Sequence, residues 1–212
     1  SGVRRVQFRY YAWDVWTPNN PVGAADDFSL KLTYDASRVA PHNNRICFIG
    51  DSITQGKSDG TQWTYRYPLW KRMIDAGYAG RFDFIGSVSW SDGGTTMNYP
   101  SYNGYSMDRD NEGHWGWRID EVNAQLSGWM NAYPYPPDIV TILLGTNDNA
   151  FGDSVVLMKS EMQQTINIVR SKNSKAIILV GLPYQDFSGS LYSDMRVAFR
   201  ELAKSNHTVN SP

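Results

Sequence analysis

Two apolar runs each end in small polar residues whose side chains suit acyl chemistry. The run Arg45 to Gly50 passes into Gly50-Asp51-Ser52-Ile53-Thr54-Gln55-Gly56, and the run Asp138 to Leu144 passes into Gly145-Thr146-Asn147-Asp148. If each run is a central strand, both turns lie at the carboxyl edge of a sheet, where open α/β sheets bind ligands. A serine in such a turn exposes its hydroxyl and leaves its backbone N–H free to face an oxyanion. An asparagine at the neighbouring turn presents a neutral NH₂ to the same point, held by Asp148 or Thr146. Taken singly, neither motif decides the matter. Gly-Asp-Ser is equally an ordinary strand-to-helix turn with a capping Asp or Ser, and Asn147 is equally a loop residue satisfying its own backbone. A serine nucleophile also needs a base, and the chain has three histidines: His42, His114 and His207. His42 precedes the first run and His207 follows the last helical pattern, so both are expected at the amino edge, opposite Ser52.

The elements that must position these residues are legible from periodicity. Short apolar runs at Arg45–Gly50, Arg81–Gly86, Asp138–Leu144 and Lys175–Gly181 alternate with helical patterns, the signature of βα units building a parallel sheet covered on both faces. Helices are expected over Tyr67–Ala76, with Leu69, Trp70, Met73 and Ile74 as its apolar positions, and over Arg118–Met130. Asp153 is the expected N-cap of a third, running to about Ser171 with Val156, Met162, Ile166 and Val169 in the core, and a fourth starts at Ser190 or Ser193 and ends near Ser205. Thr208-Val209-Asn210 reads as the opening of a fifth strand. Residues 1–44 stand apart as an edge strand and a Pro- and Asn-rich arm, leaving 45–212 as the domain, and Ser89 to Asp110 is a long loop of the kind that carries function.

Composition excludes several partners. The chain has 212 residues, with 20 Lys+Arg against 21 Asp+Glu, and no basic cluster on any expected helix, so nucleic acid is not an expected partner. No apolar run approaches the roughly 20 residues that cross a bilayer, so no membrane span is expected. The single Cys47 cannot form an intramolecular disulfide or a cysteine-based zinc site, and it sits in the apolar run Ile46-Cys47-Phe48-Ile49 as a buried thiol.

Gly50-Asp51-Ser52, the glycine-bearing block Glu112-Gly113-His114-Trp115-Gly116-Trp117 and Gly145-Thr146-Asn147-Asp148, in that order, resemble the GDSL or SGNH hydrolases over roughly residues 45 to 205. The stretch Asn111 to Ile119 looks most like the carbohydrate esterases that deacetylate xylan. The resemblance implies a three-layer αβα sandwich with a parallel, flavodoxin-like sheet and no metal or cofactor. It implies Ser52 as nucleophile, with the Ser52 N–H, the Gly113 N–H and the Asn147 side chain as oxyanion donors. Gly113 is preferred to Gly116 because it directly follows the long loop, although sequence alone does not separate them. Substrate contacts are expected from Asp51, Tyr105, His114, Trp115 and Trp117, the two tryptophans being equally suited to packing the core.

One departure from the family pattern bears on activity. The family base is a His in a C-terminal Asp-x-x-His block, and this sequence contains none. His114, next to the proposed oxyanion glycine, belongs to the glycine block rather than acting as the base. The expectation is therefore a sheet whose last strand and helix lie outside the chain, in a retained cleaved fragment or a partner chain, with the N-terminal arm as another cover for the open edge. Function reads first as a secreted serine esterase acting on an acetylated polysaccharide or oligosaccharide, secretion following from the substrate alone. The alternative is a non-catalytic carbohydrate-binding relative. A lipase or thioesterase would call for an apolar acyl channel, which the polar Ser91–Asp110 loop does not resemble.

Overall fold

The first strand, β1 (Asn44–Gly50), shows why the sheet is covered on both sides. Ile46 and Phe48 join one apolar layer with Tyr67, Trp70, Ile74 and Phe84, while Cys47 and Ile49 join the other with Ile119, Val122, Leu126, Val140 and Ile142. A strand apolar on both faces must be buried on both, which is the condition for a parallel sheet between helices. The computed structural model describes residues 44–56, 64–90, 98–183 and 190–212. The expected N-terminal arm therefore lies outside the described residues, except for Asn44, which opens β1.

Every strand pair among the described residues is parallel. β1 pairs with β2 (Phe82–Ile85) through Asn44 to Cys47, and its last two residues pair with β3 (Glu112–Gly113) on the same edge. Its other edge takes β4 (Ile139–Leu143), which in turn takes β5 (Ile177–Val180), giving the order β2-β1-β4-β5. The helices are α1 (Ser52–Gln55), α2 (Arg66–Asp75), α3 (Ile119–Ala132), α4 (Thr146–Phe151), α5 (Val155–Lys172) and α6 (Ser190–Asn206). α2 covers one face of the sheet, and α3, α5 and α6 pack side by side on the other. No helix among the described residues is long and apolar enough to cross a membrane.

The four expected strands and four longer helices are present, with ends shifted by one or two residues. Three details differ. Ser154, not Asp153, caps α5, its Oγ accepting the Leu157 N–H at 3.2 Å, while Asp153 faces Arg118 across the bundle. Val156 is 81% exposed rather than core, because the buried stripe of α5 runs through Met158, Met162, Thr165, Ile166 and Val169. Finally, Thr208 to Asn210 forms no strand. The Ser211 hydroxyl donates to the Ala176 carbonyl at 2.6 Å, the Pro212 carbonyl accepts the Ile178 N–H at 3.1 Å, and Arg170 bonds both Asn206 and Ser211. This tail, with His207, therefore sits at the amino end of β5.

Candidate active site

Gly50 ends β1 and lets the chain reverse directly into α1. A Cβ there would lie 2.0 Å from the Thr54 hydroxyl and 2.9 Å from the Leu143 carbonyl, so only glycine fits the approach. Asp51 caps α1, its Oδ1 accepting the Ile53 N–H at 2.9 Å, which places Ser52 as the first helical residue. Among the described residues neither the Ser52 N–H nor its Oγ has a hydrogen-bond partner. The far end of α1 is held by a buried cation: the Arg66 guanidinium donates to the Thr54 carbonyl (2.9 Å), the Gln55 carbonyl (3.3 Å) and the Arg109 carbonyl (3.0 Å). Burial lowers the Arg66 pKa, yet helix carbonyls are favourable company for a cation.

The glycine block runs alongside this turn. β3 pairs with the end of β1, the His114 N–H donates to the Gly50 carbonyl at 2.9 Å, and the Trp115 N–H donates to Gln55 Oε1 at 2.8 Å. The Trp117 N–H closes a turn onto the His114 carbonyl at 3.2 Å, with Gly116 at φ +79°, the left-handed value that the third position of a type II turn requires. The expected donor, Gly113, is not available. Its N–H is committed to Asn111 Oδ1 at 2.8 Å, and its α-carbon is pressed against α1, where a Cβ would come 2.3 Å from the Gln55 nitrogen. The Gly116 N–H has no partner among the described residues, and nothing crowds that glycine.

Asn147 lies in the first turn of α4, at the carboxyl end of β4 and beside the end of β1. Its amide is held by neither Asp148 nor Thr146. Nδ2 donates to the Trp117 carbonyl at 2.8 Å, which ties α4 to the glycine block and leaves the second N–H of the amide without a partner among the described residues. Asp148 is spent elsewhere, its Oδ1 accepting the Ile119 N–H at the start of α3 at 3.0 Å. Asp51 is only 1% exposed, so it caps rather than contacts a ligand. Burial raises its carboxyl from the usual 3.8 to about 6, the Ile53 N–H opposing this and the nearby Asp148 charge adding to it.

The remaining site expectations separate by exposure. Tyr105 and Trp115 are 47% and 40% exposed. His114 and Trp117 instead turn inward, half-buried, the His114 ring stacking on both Trp117 and Trp129 of α3, and Trp117 packs against the core. The His114 Nε2 bonds Glu112 Oε2 at 3.0 Å, and no imidazole among the described residues reaches Ser52 Oγ. His42 lies outside those residues. Among the described residues no group of three or more His, Cys, Asp or Glu side chains could hold a metal ion. Sequence reading missed Arg66, Gln55 and Glu112, whose partners are distant in the chain and carry no periodic signal. Chemically, the assembly offers a serine hydroxyl and three N–H groups, on Ser52, Gly116 and Asn147, that are uncommitted among the described residues.

A family described as the GDSL-like lipase/acylhydrolase family matches residues 48–210. A multidomain esterase of Ruminococcus flavefaciens is 29% identical over 135 residues, or 58% of this chain, and the chain spans 17% of that protein's length. Among solved structures, an acetyl esterase mutant with an acetate ion superposes with a TM-score of 0.66 at 25% identity, over 79% of this chain and 76% of that one. A carbohydrate esterase family 3 protein from Talaromyces cellulolyticus gives 0.64 at 26% identity, over 79% and 76%. A family 3 carbohydrate esterase of Clostridium thermocellum gives 0.60 at 21% identity, over 77% and 72%, a likeness of fold.

Proposed function

The chain belongs to the GDSL-like lipase/acylhydrolase family, and on that premise we propose that it is a serine esterase removing small acyl groups, acetyl foremost, from carbohydrate. In this reading Ser52 Oγ attacks the ester carbonyl and gives up its proton to a base. The oxyanion is met by the Ser52 N–H, the Gly116 N–H and the free hydrogen of the Asn147 amide. Collapse expels the sugar hydroxyl and leaves an acyl-serine, which water hydrolyses to the free acid. The observation that carries the reading is the 2.8 Å bond from Asn147 to the Trp117 carbonyl. It draws the third motif onto the second, while the His114 and Trp115 N–H groups draw the second onto the turn that bears Ser52.

The choice of acetyl ester and sugar is supported by the acetyl esterase and family 3 carbohydrate esterase among the similar structures, and by the exposed rings of Trp115 and Tyr105, flat surfaces suited to sugar faces. An enzyme acting on polymeric carbohydrate works outside the cell, so secretion is part of the proposal. The base that Ser52 needs comes from beyond the described residues, in this chain or another. One observation favours a second reading: Ser52 Oγ has no base partner among the described residues, as expected of a carbohydrate-binding relative without catalysis. Acetate release from acetylated xylan, measured beside hydrolysis of p-nitrophenyl esters of increasing chain length, tests the proposal. Acetate release with rates falling steeply beyond short acyl chains is expected. Binding of the polymer without acetate release would establish the second reading instead.

A further inference from the structure

We propose that the pair formed by buried Glu112 and half-buried His114 is a positioning device that fixes the oxyanion turn, a role that rests on the serine-esterase reading. β3 is two residues long, and glycines stand at 113 and 116, so the backbone alone gives this turn little stiffness. Side chains supply it. Glu112 is fully buried, and its carboxylate accepts from the Ser87 N–H (2.6 Å), the Ser87 hydroxyl (2.8 Å), the Tyr133 hydroxyl and His114 Nε2 (3.0 Å). Because a carboxylate only accepts, Nε2 carries the ring hydrogen and the imidazole is locked in one orientation. The ring stacks on Trp117 at 4.6 Å and on Trp129 at 4.3 Å between centroids. The same residue anchors the turn at both ends, its N–H on the Gly50 carbonyl and its carbonyl accepting the Trp117 N–H.

A continuous path thus runs from Glu112 through the His114 ring and the Trp117 ring to the Trp117 carbonyl, which holds Asn147. Gly116, with its uncommitted N–H, lies inside that span. A buried carboxylate is costly wherever any lone pair goes unmet, and an apolar cluster would fill the same space without that risk. What the carboxylate–imidazole hydrogen bond adds is directionality, since packing alone leaves the rotation of the turn less defined. His114 touches no reacting atom in this arrangement and acts through the donors it positions.

The test compares wild type with His114→Phe, which keeps a stacked ring but removes the bond to Glu112, and with His114→Gln, which can restore a donor. Tyr133→Phe, which removes one donor to Glu112 at a distance from the turn, serves if the His114 variants do not fold. Each is read by amide exchange at Trp115 and Trp117, by the Gly116 backbone-amide and Asn147 side-chain amide resonances, and by kcat and KM for p-nitrophenyl acetate. For His114→Phe, kcat should fall about tenfold or more with KM within about twofold, the Trp117 amide should exchange about tenfold faster, and the Asn147 resonances should shift. His114→Gln should recover part of each loss. Unchanged exchange and resonances in a folded His114→Phe, or kcat unchanged in an active enzyme, would overturn the inference while leaving the esterase reading intact. An inert wild type whose turn still loosens in His114→Phe would count against the esterase reading and support the positioning of the turn.

Discussion

In the proposed esterase, Ser52, Gly116 and Asn147 act as a set whose members differ in what each supplies. In that reading Asn147→Ala removes one oxyanion donor together with the bond to the Trp117 carbonyl and leaves Ser52 in place, so kcat for p-nitrophenyl acetate should fall by about 10²–10³ with little change in KM. Asp51 gives a pH signature in stability rather than in rate. Its carboxyl is raised from 3.8 to about 6 in the fold, so the folded state favours the protonated form. That stabilisation is complete below pH 3.8 and is lost as pH rises through about 6. Relative to Asp51→Asn, which caps α1 equally well, the wild type should lose on the order of 3 kcal/mol between those limits in urea unfolding. The placement of Ser52 and Asn147 at the carboxyl ends of β1 and β4 was legible because each follows a short apolar run bounded by turn residues. Glu112 was not, because its partners Ser87 and Tyr133 lie 25 and 21 residues away, and no spacing rule announces such a cluster.

Glycines show at the level of elements how position decides cost. At Gly113 a Cβ would meet the Gln55 nitrogen at 2.3 Å, so β3 and α1 would have to separate, and Gly113→Ala should cost roughly 2–4 kcal/mol. At Gly116 nothing lies within reach, and Gly116→Ala carries only the left-handed backbone penalty of about 1–2 kcal/mol. Urea unfolding should therefore rank Gly113→Ala as the more damaging, the reverse of the order expected if Gly113 were a free loop donor. Arg66→Met strips the carbonyls of Thr54, Gln55 and Arg109 of a buried partner and should cost about 3 kcal/mol. Long elements could be read from sequence because their apolar residues repeat. Their limits could not, as Ser154 displacing Asp153 at the start of α5 shows, since adjacent capping residues compete and tertiary contact with Arg118 settles the choice. The two-residue β3 and the single-turn α1 are too short to carry any period.

The whole molecule gains its site from the sheet's topology. From β1 the chain moves outward to β2 and β3 on one edge and later returns to β4 on the other, so the carboxyl ends of β1 and β4 border a crevice at the point of reversal. Ser52 and Asn147 leave from those two strand ends, and the turn at Gly116 closes the third side. The parallel α/β fold was legible as a whole because strands and helices alternate at βα spacing. The inward turn of His114 and Trp117 was not, because only the layer of α3 above the sheet decides it. The measurement that bears most directly on the account is the initial rate of p-nitrophenyl acetate hydrolysis by the purified protein, run beside Ser52→Ala. The expected result is turnover by the wild type and a fall to buffer background in the variant. Equal rates in two active proteins would contradict the assignment of Ser52 as the nucleophile, and two inert proteins would contradict esterase activity by this chain alone.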